Sequence, residues 1–165
     1  MPNHTANKLA VSGTTDEIKQ FISQNKGEKE FLSLEKAFPT PSEMVGDNDI
    51  KDGVMPAWYN WRVENWGTKW DVFDVFPWEQ DKYGNFVIRF FSAWSPPLAW
   101  LEGVAKKFPS LSFELTYADE GGGFVGEAEA QGEHGFGDTD FEWESERGQE
   151  IINDLSYGDD KETEN

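Results

Sequence analysis

The stretch Asp138-Thr139-Asp140-Phe141-Glu142-Trp143-Glu144-Ser145-Glu146 places a carboxylate at every second position, five in succession. Alternate side chains of a β-strand share a face. The spacing therefore predicts Asp138, Asp140, Glu142, Glu144 and Glu146 on one side, and Phe141 and Trp143 on the other. Same-face neighbours stand about 6.6–6.8 Å apart along a strand, similar to the phosphate spacing of one nucleic-acid strand. Glu127 and Glu129 are expected to widen the negative face from the neighbouring strand. The pattern admits two main readings. It can protect an edge strand from aggregation by charge. It can also form an anionic docking face for a basic partner, in effect a nucleic-acid mimic. A cation site is a third. Like charges so placed repel, so the seating of Phe141 and Trp143 must offset that cost.

Other chemistry is thinly represented. The chain has no cysteine, which excludes disulfides, thiolate metal sites and cysteine nucleophiles. His4 and His134 are isolated in sequence and suggest no catalytic pair. Asp47-Asn48-Asp49-Ile50-Lys51-Asp52-Gly53 superficially matches a calcium loop. It puts Lys51 at a ligand position, places its glycine one residue late and lacks the closing glutamate, so it reads as a turn. No nucleophile elbow, phosphate loop or dinucleotide motif is present. The expectation is a non-enzymatic protein with no cofactor and no metal. Eight tryptophans and 13 phenylalanines are mostly core material, and Trp58, Trp61 and Trp78 are the candidates for an exposed secondary surface.

The charge is asymmetric. Residues 119–165 hold 16 acids and two bases, whereas residues 1–118 hold 16 acids and 12 bases. The net charge of −18 disfavours direct binding to nucleic acid, whose phosphates need Lys and Arg. No apolar run approaches membrane-spanning length and residues 1–13 lack a signal-peptide pattern, so a cytoplasmic location is expected.

The elements that must position these residues read in order. Residues 8–12 form a strand. Thr14 with Glu17 makes a capping box before a helix carrying Ile18, Phe21 and Ile22 on one face. Residues 28–56 connect, with Pro39 and Pro41 forcing an extended piece. A helix over 57–66 is capped by Gly67. Strands over 70–76 and 86–94 form a hairpin, the second apolar on both faces except for Arg89. Ser95 as N-cap and Pro96 at the first helical position open a helix whose period Leu98, Leu101, Ala105 and Phe108 keep until Pro109 stops it. Leu111, Phe113, Leu115 and Tyr117 alternate in a further strand. Residues 124–130 and 138–146 pair as an acidic hairpin, and a helix turn begins near Ile151 ahead of a polar, disordered tail.

The order β-α-β-β-α-β is the split βαβ arrangement. The expected fold is α+β and ferredoxin-like, an antiparallel sheet with its helices on one face. The expected organisation is a core over 1–118 with an insert at 28–68, an acidic hairpin extension packed on it over 119–150, and an end segment over 151–165.

Asn60-Trp61-Arg62-Val63-Glu64-Asn65-Trp66-Gly67-Thr68-Lys69-Trp70-Asp71 resembles the N-W-G-T-K-W-D signature of YubB-type ferredoxin-like proteins, encoded mainly by phages, plasmids and other mobile elements. Phe91-Ser92-Ala93-Trp94-Ser95-Pro96-Pro97 resembles the family's second signature, and 38–41 and 123–127 fit two looser ones. The chain has His4-Thr5 where members often carry an aromatic residue and a cysteine. The likeness covers roughly residues 1–130 and leaves most of the acidic segment outside. It implies the same fold, a mobile-element origin and no particular activity. Together with the charge layout it leads to the expectation of an accessory protein that inhibits a basic, nucleic-acid-binding host protein, such as a restriction or CRISPR-type defence factor. The alternative is a binding module that uses the tryptophan-rich region 58–70.

Overall fold

Every second residue of the first strand is buried, and that alternation sets the whole architecture. The computed structural model describes residues 3–46 and 50–156. In β1 (His4–Ser12), Thr5, Asn7, Leu9 and Val11 point into the protein. This strand pairs antiparallel with β3 (Phe86–Ala93) on one side and β4 (Ser112–Asp119) on the other. With the short β2 (Glu79–Gln80), β5 (Val125–Ala130) and β6 (Gly137–Phe141), the order across the sheet is β2-β3-β1-β4-β5-β6. The first four strands are the ferredoxin-like sheet, and β5 and β6 extend it from β4 rather than packing against it.

Helices α1 (Thr15–Gln24) and α4 (Leu98–Lys107) cover the face that carries Leu9, Ile88, Phe113 and Leu115. Phe21 of α1 meets Phe113 edge-on at 5.2 Å and Phe108 at 5.2 Å. The connector adds α2 (Leu34–Ala37) and α3 (Ala57–Asn65), and α3 ends as expected at Gly67, whose φ is +89°. The Thr14 hydroxyl accepts from the Glu17 N–H at 3.3 Å, while the Glu17 carboxylate turns to the Ser110 hydroxyl.

Two expectations need correction at the β3 edge and at α4. The segment over 70–76 is not a continuous strand. Phe73 bridges Phe91 and the Phe76 N–H reaches the Arg89 carbonyl at 2.9 Å, but Asp74 between them has φ +47° and breaks the ladder. Regular pairing resumes only at Glu79 and Gln80. Ser95 does not cap α4. Its hydroxyl donates to the Gly67 carbonyl at 2.5 Å, and Pro97 precedes the helix.

The largest correction lies at the C-terminal end. The strand expected over 138–146 stops at Phe141, because its partner β5 begins at Val125 and the two residues are paired. Past that point no ladder is available. The chain turns, the Ser145 N–H bonding the Glu142 carbonyl at 3.0 Å, and α5 (Glu146–Leu155) starts with Ser145 as its N-cap. This helix lies on the sheet face opposite α1 and α4. There Ile151 joins Ala118 and Val125 in a second core, flanked by Phe141, Trp143, Ile152 and Leu155. The tail over 157–165 lies outside the described residues.

Candidate functional site

The five carboxylates do not share one face. Asp138 and Asp140 lie on β6, opposite Ala128 and Gly126, and directly paired residues of a sheet share a face. Glu127 and Glu129 pair with Thr139 and Gly137 and so lie on the other face, the one that carries α5. They do not widen the surface of Asp138 and Asp140. Glu142 and Glu144 sit on the turn after the strand. Glu146 occupies the first turn of α5, where a negative charge suits the helix N-terminus. Phe141 and Trp143 do point inward as expected, against Ile151 and its neighbours.

The acids also differ in how they are compensated. Lys8 and Arg89 face each other directly across β1 and β3, a like-charge pair that is unfavourable alone. Asp154 of α5 resolves it, accepting from Lys8 Nζ at 2.9 Å and Arg89 Nη2 at 3.1 Å, while Arg89 Nη1 donates to the Asp154 carbonyl at 2.8 Å. Burial alone would raise the Asp154 carboxyl. The hydrogen bond and charge of Lys8, then those of Arg89, outweigh it and hold the group below its ordinary range. Arg147 binds Glu127 at 2.6 Å and Glu150 at 3.2 Å. Among the described residues, Glu129, Asp138, Asp140, Glu142, Glu144 and Glu146 have no ion-pair partner. The Tyr117 hydroxyl donates to Asp140 Oδ1 at 3.2 Å, and burial, then the Asp140 charge, pushes the phenol well above its usual range.

A groove runs beside α5. Six strands at about 4.8 Å spacing make a sheet roughly 24 Å wide, and one helix of about 10 Å diameter covers less than half of it. The uncovered part, between α5 and the irregular segment before β2, encloses a volume of about 710 Å³. Phe76, Val87, Phe91, Trp143, Ile152 and Leu155 line it with apolar surface. Arg89, already bound by Asp154, is the basic group in the lining, and Glu79, Asp119 and Glu120 supply carboxylates. Trp143 at one wall is flanked in sequence by the unpaired Glu142 and Glu144. The groove was not legible in the sequence, since its lining comes from 6–7, 76–91, 118–120 and 143–156, which meet only in the fold.

The tryptophan expectation is also corrected. Trp58, Trp61 and Trp78 are partly buried. Trp61 meets Trp66 edge-on at 5.9 Å, Arg62 lies 4.9 Å from the Trp58 ring, and Trp78 packs against Phe21 at 6.2 Å. The exposed indoles are Trp70 and Trp94, 39% and 55% accessible, and the Lys69 ammonium stands between them at 4.5 and 4.8 Å. The suspected calcium loop lies partly outside the described residues, at Asp47, Asn48 and Asp49. Its remaining residues make a tight turn in which Lys51 pairs with Val54. No described helix is long and apolar enough to cross a membrane.

Comparison with known proteins places this architecture. No curated protein matches the chain. The crystal structure of the protein Api92 from Yersinia pseudotuberculosis matches with a TM-score of 0.51 at 13% identity, over 66% of this chain and 39% of that one. The chain thus corresponds to about two fifths of the Api92 chain, and at this identity the likeness carries the fold alone. The family model described as the ferredoxin-like domain in Api92-like protein matches residues 65–163. That span runs from the end of α3 through β6 and α5, so the acidic segment lies inside the family's domain and not beyond it, as the motif resemblance had suggested. The chain belongs to the family of ferredoxin-like domains of Api92-like proteins.

Proposed function

We propose that this domain is a non-catalytic protein-binding module that takes a basic segment with an apolar face into the groove beside α5. The observation that carries the reading is the groove itself, about 710 Å³ of largely apolar lining with Glu79 and Glu120 among its residues. An apolar concavity with a few polar groups is the usual form of a binding site, and an amphipathic helix laid in such a groove is a recurring mode of recognition. The net charge of −18 selects a basic partner and speeds encounter with it. The evenly spaced carboxylate ribbon is not formed, so recognition rests on shape and net charge and not on imitation of phosphate spacing. Asp138, Asp140, Glu142, Glu144 and Glu146 then contribute long-range attraction. A mobile-element origin, in line with the YubB-type motifs, makes a host protein the natural partner. A cytoplasmic defence protein with a basic nucleic-acid-binding surface fits that chemistry.

A synthetic amphipathic Leu/Lys helix, titrated by calorimetry beside a Lys-only peptide of equal charge, tests the reading. The amphipathic peptide should bind, and Phe76→Ser with Ile152→Ser should weaken it by about tenfold. Glu142→Gln with Glu144→Gln should chiefly reduce the salt dependence. Equal binding of the two peptides, or an undiminished affinity in the groove variant, would reduce the acidic surface to non-specific attraction.

A further inference from the structure

We propose that Lys69, Trp70 and Trp94 form a second binding point, separate from the groove, for a small planar ring that carries an anionic group. Among the described residues, three other than glycine have positive φ: Asp52, Asp74 and Trp94. Aspartate tolerates that conformation. A bulky side chain at φ +70° does not, and such strain is held only where the surroundings impose it.

Here the imposing contacts are explicit. The Trp94 N–H bonds the Asn3 carbonyl at 2.9 Å and the Ser95 N–H bonds the Ala93 carbonyl at 2.8 Å. The Ser92 hydroxyl donates to the Ser95 carbonyl at 2.7 Å. Thr68 Oγ1 donates to the Ala93 carbonyl at 2.8 Å, and Ser95 Oγ to that of Gly67 at 2.5 Å. The corner over 92–95 is therefore locked to Gly67 and Thr68, immediately before Lys69. One interlock fixes both the cation and the strained indole.

The outcome is costly for a purely structural role. The strained corner leaves the Trp94 ring more than half exposed and does not seat it in the core. Lys69 has no carboxylate within ion-pair distance among the described residues, in a chain with 32 acids. Two accessible indoles offer stacking surface, and an ammonium between them offers charge-assisted hydrogen bonds to an anion. A nucleic-acid polymer is opposed by the net charge of the chain. A small ring bearing a carboxylate or a phosphate meets no such barrier.

Isothermal titration calorimetry distinguishes the two anion sources. The probes are indole-3-acetate for a carboxylate and adenosine monophosphate for a phosphate, with indole and adenosine as neutral counterparts. Saturable binding of at least one anion is expected, with its neutral counterpart weaker by about tenfold. Lys69→Gln should abolish that preference and Lys69→Arg should keep it. Trp94→Gly should lose binding in a fully folded protein, as judged by circular dichroism, and Trp94→Tyr should restore it. Absence of saturation with both anions, equal binding of charged and neutral rings, or unchanged affinity in Trp94→Gly would each overturn the proposal. None of these outcomes bears on the groove, because no groove residue is altered.

Discussion

At Trp94 the backbone and the side chain want different things. A Cβ at φ +70° is strained, while glycine there is not. Trp94→Gly should therefore be more stable than Trp94→Ala by about 1 kcal/mol in urea denaturation, although both lose the ring. Equal stabilities would mean that the corner relaxes and holds no strain. Gly126 poses the opposite case. A Cβ there would meet the Tyr117 hydroxyl at 2.6 Å and the Thr139 carbonyl at 2.7 Å. Gly126→Ala should cost about 1–3 kcal/mol by overpacking, and an unchanged melting temperature would contradict the tight β4–β5–β6 packing. Some residue-scale facts were legible in the sequence. Phe141 and Trp143 were expected to face inward, and they do, because apolar side chains beside carboxylates leave the fold little choice. The exposure of Trp94 was not legible. Its residue type suits a strand end, and only the bonds to Asn3, Gly67 and Thr68 turn it outward.

Among the elements, α5 carries the largest lesson. Acids at every second residue have strand period, and that period masked a helix start at Ser145. The helix signals were present: Ser145 Oγ accepts from the Gly148 N–H at 3.0 Å, and Ile151, Ile152 and Leu155 follow at helical spacing. Where β6 ends could not be read locally, since it depends on where β5 begins. Gly148 then fits the corner as no other residue can, a Cβ there standing 2.5 Å from the Glu142 carbonyl. Gly148→Ala should detach α5 and expose the second core, seen as a gain in binding of a hydrophobic dye. The clasp of Asp154 on Lys8 and Arg89 gives a pH dependence. A carboxyl depressed in the folded state contributes stability above its unfolded range, and that contribution is lost as the pH falls below about 4. Asp154→Asn should cost about 1 kcal/mol at neutral pH after solvent screening, and should flatten the acid limb of a stability–pH profile. An acid limb identical to that of the parent would remove Asp154 from the clasp.

Taken whole, the molecule is charged unevenly. The acids of the α5 face are partly matched by Lys8, Arg89 and Arg147, whereas those of β6 and the turn after it have no basic partner among the described residues. Glu114 and Glu129 even stand opposite each other across β4 and β5. Raising the ionic strength from about 0.01 to 0.15 M shortens the screening length from about 30 to 8 Å. The melting temperature should therefore rise over that range, and a fall would mean that attractive pairs dominate. The strands β1, β3 and β4, the helix α1 and its cap, and the turn at Gly67 all stem from hydrophobic period and capping residues, which are local and so can be read from the chain. The charge excess of the last 47 residues is equally a property of composition. Which face each carboxylate takes, which acids acquire a basic partner, and the groove between α5 and the β2 edge are decided by register and by segments far apart in sequence. Those relations exist only once the sheet has closed against both helical layers, and so the tertiary structure alone could supply them.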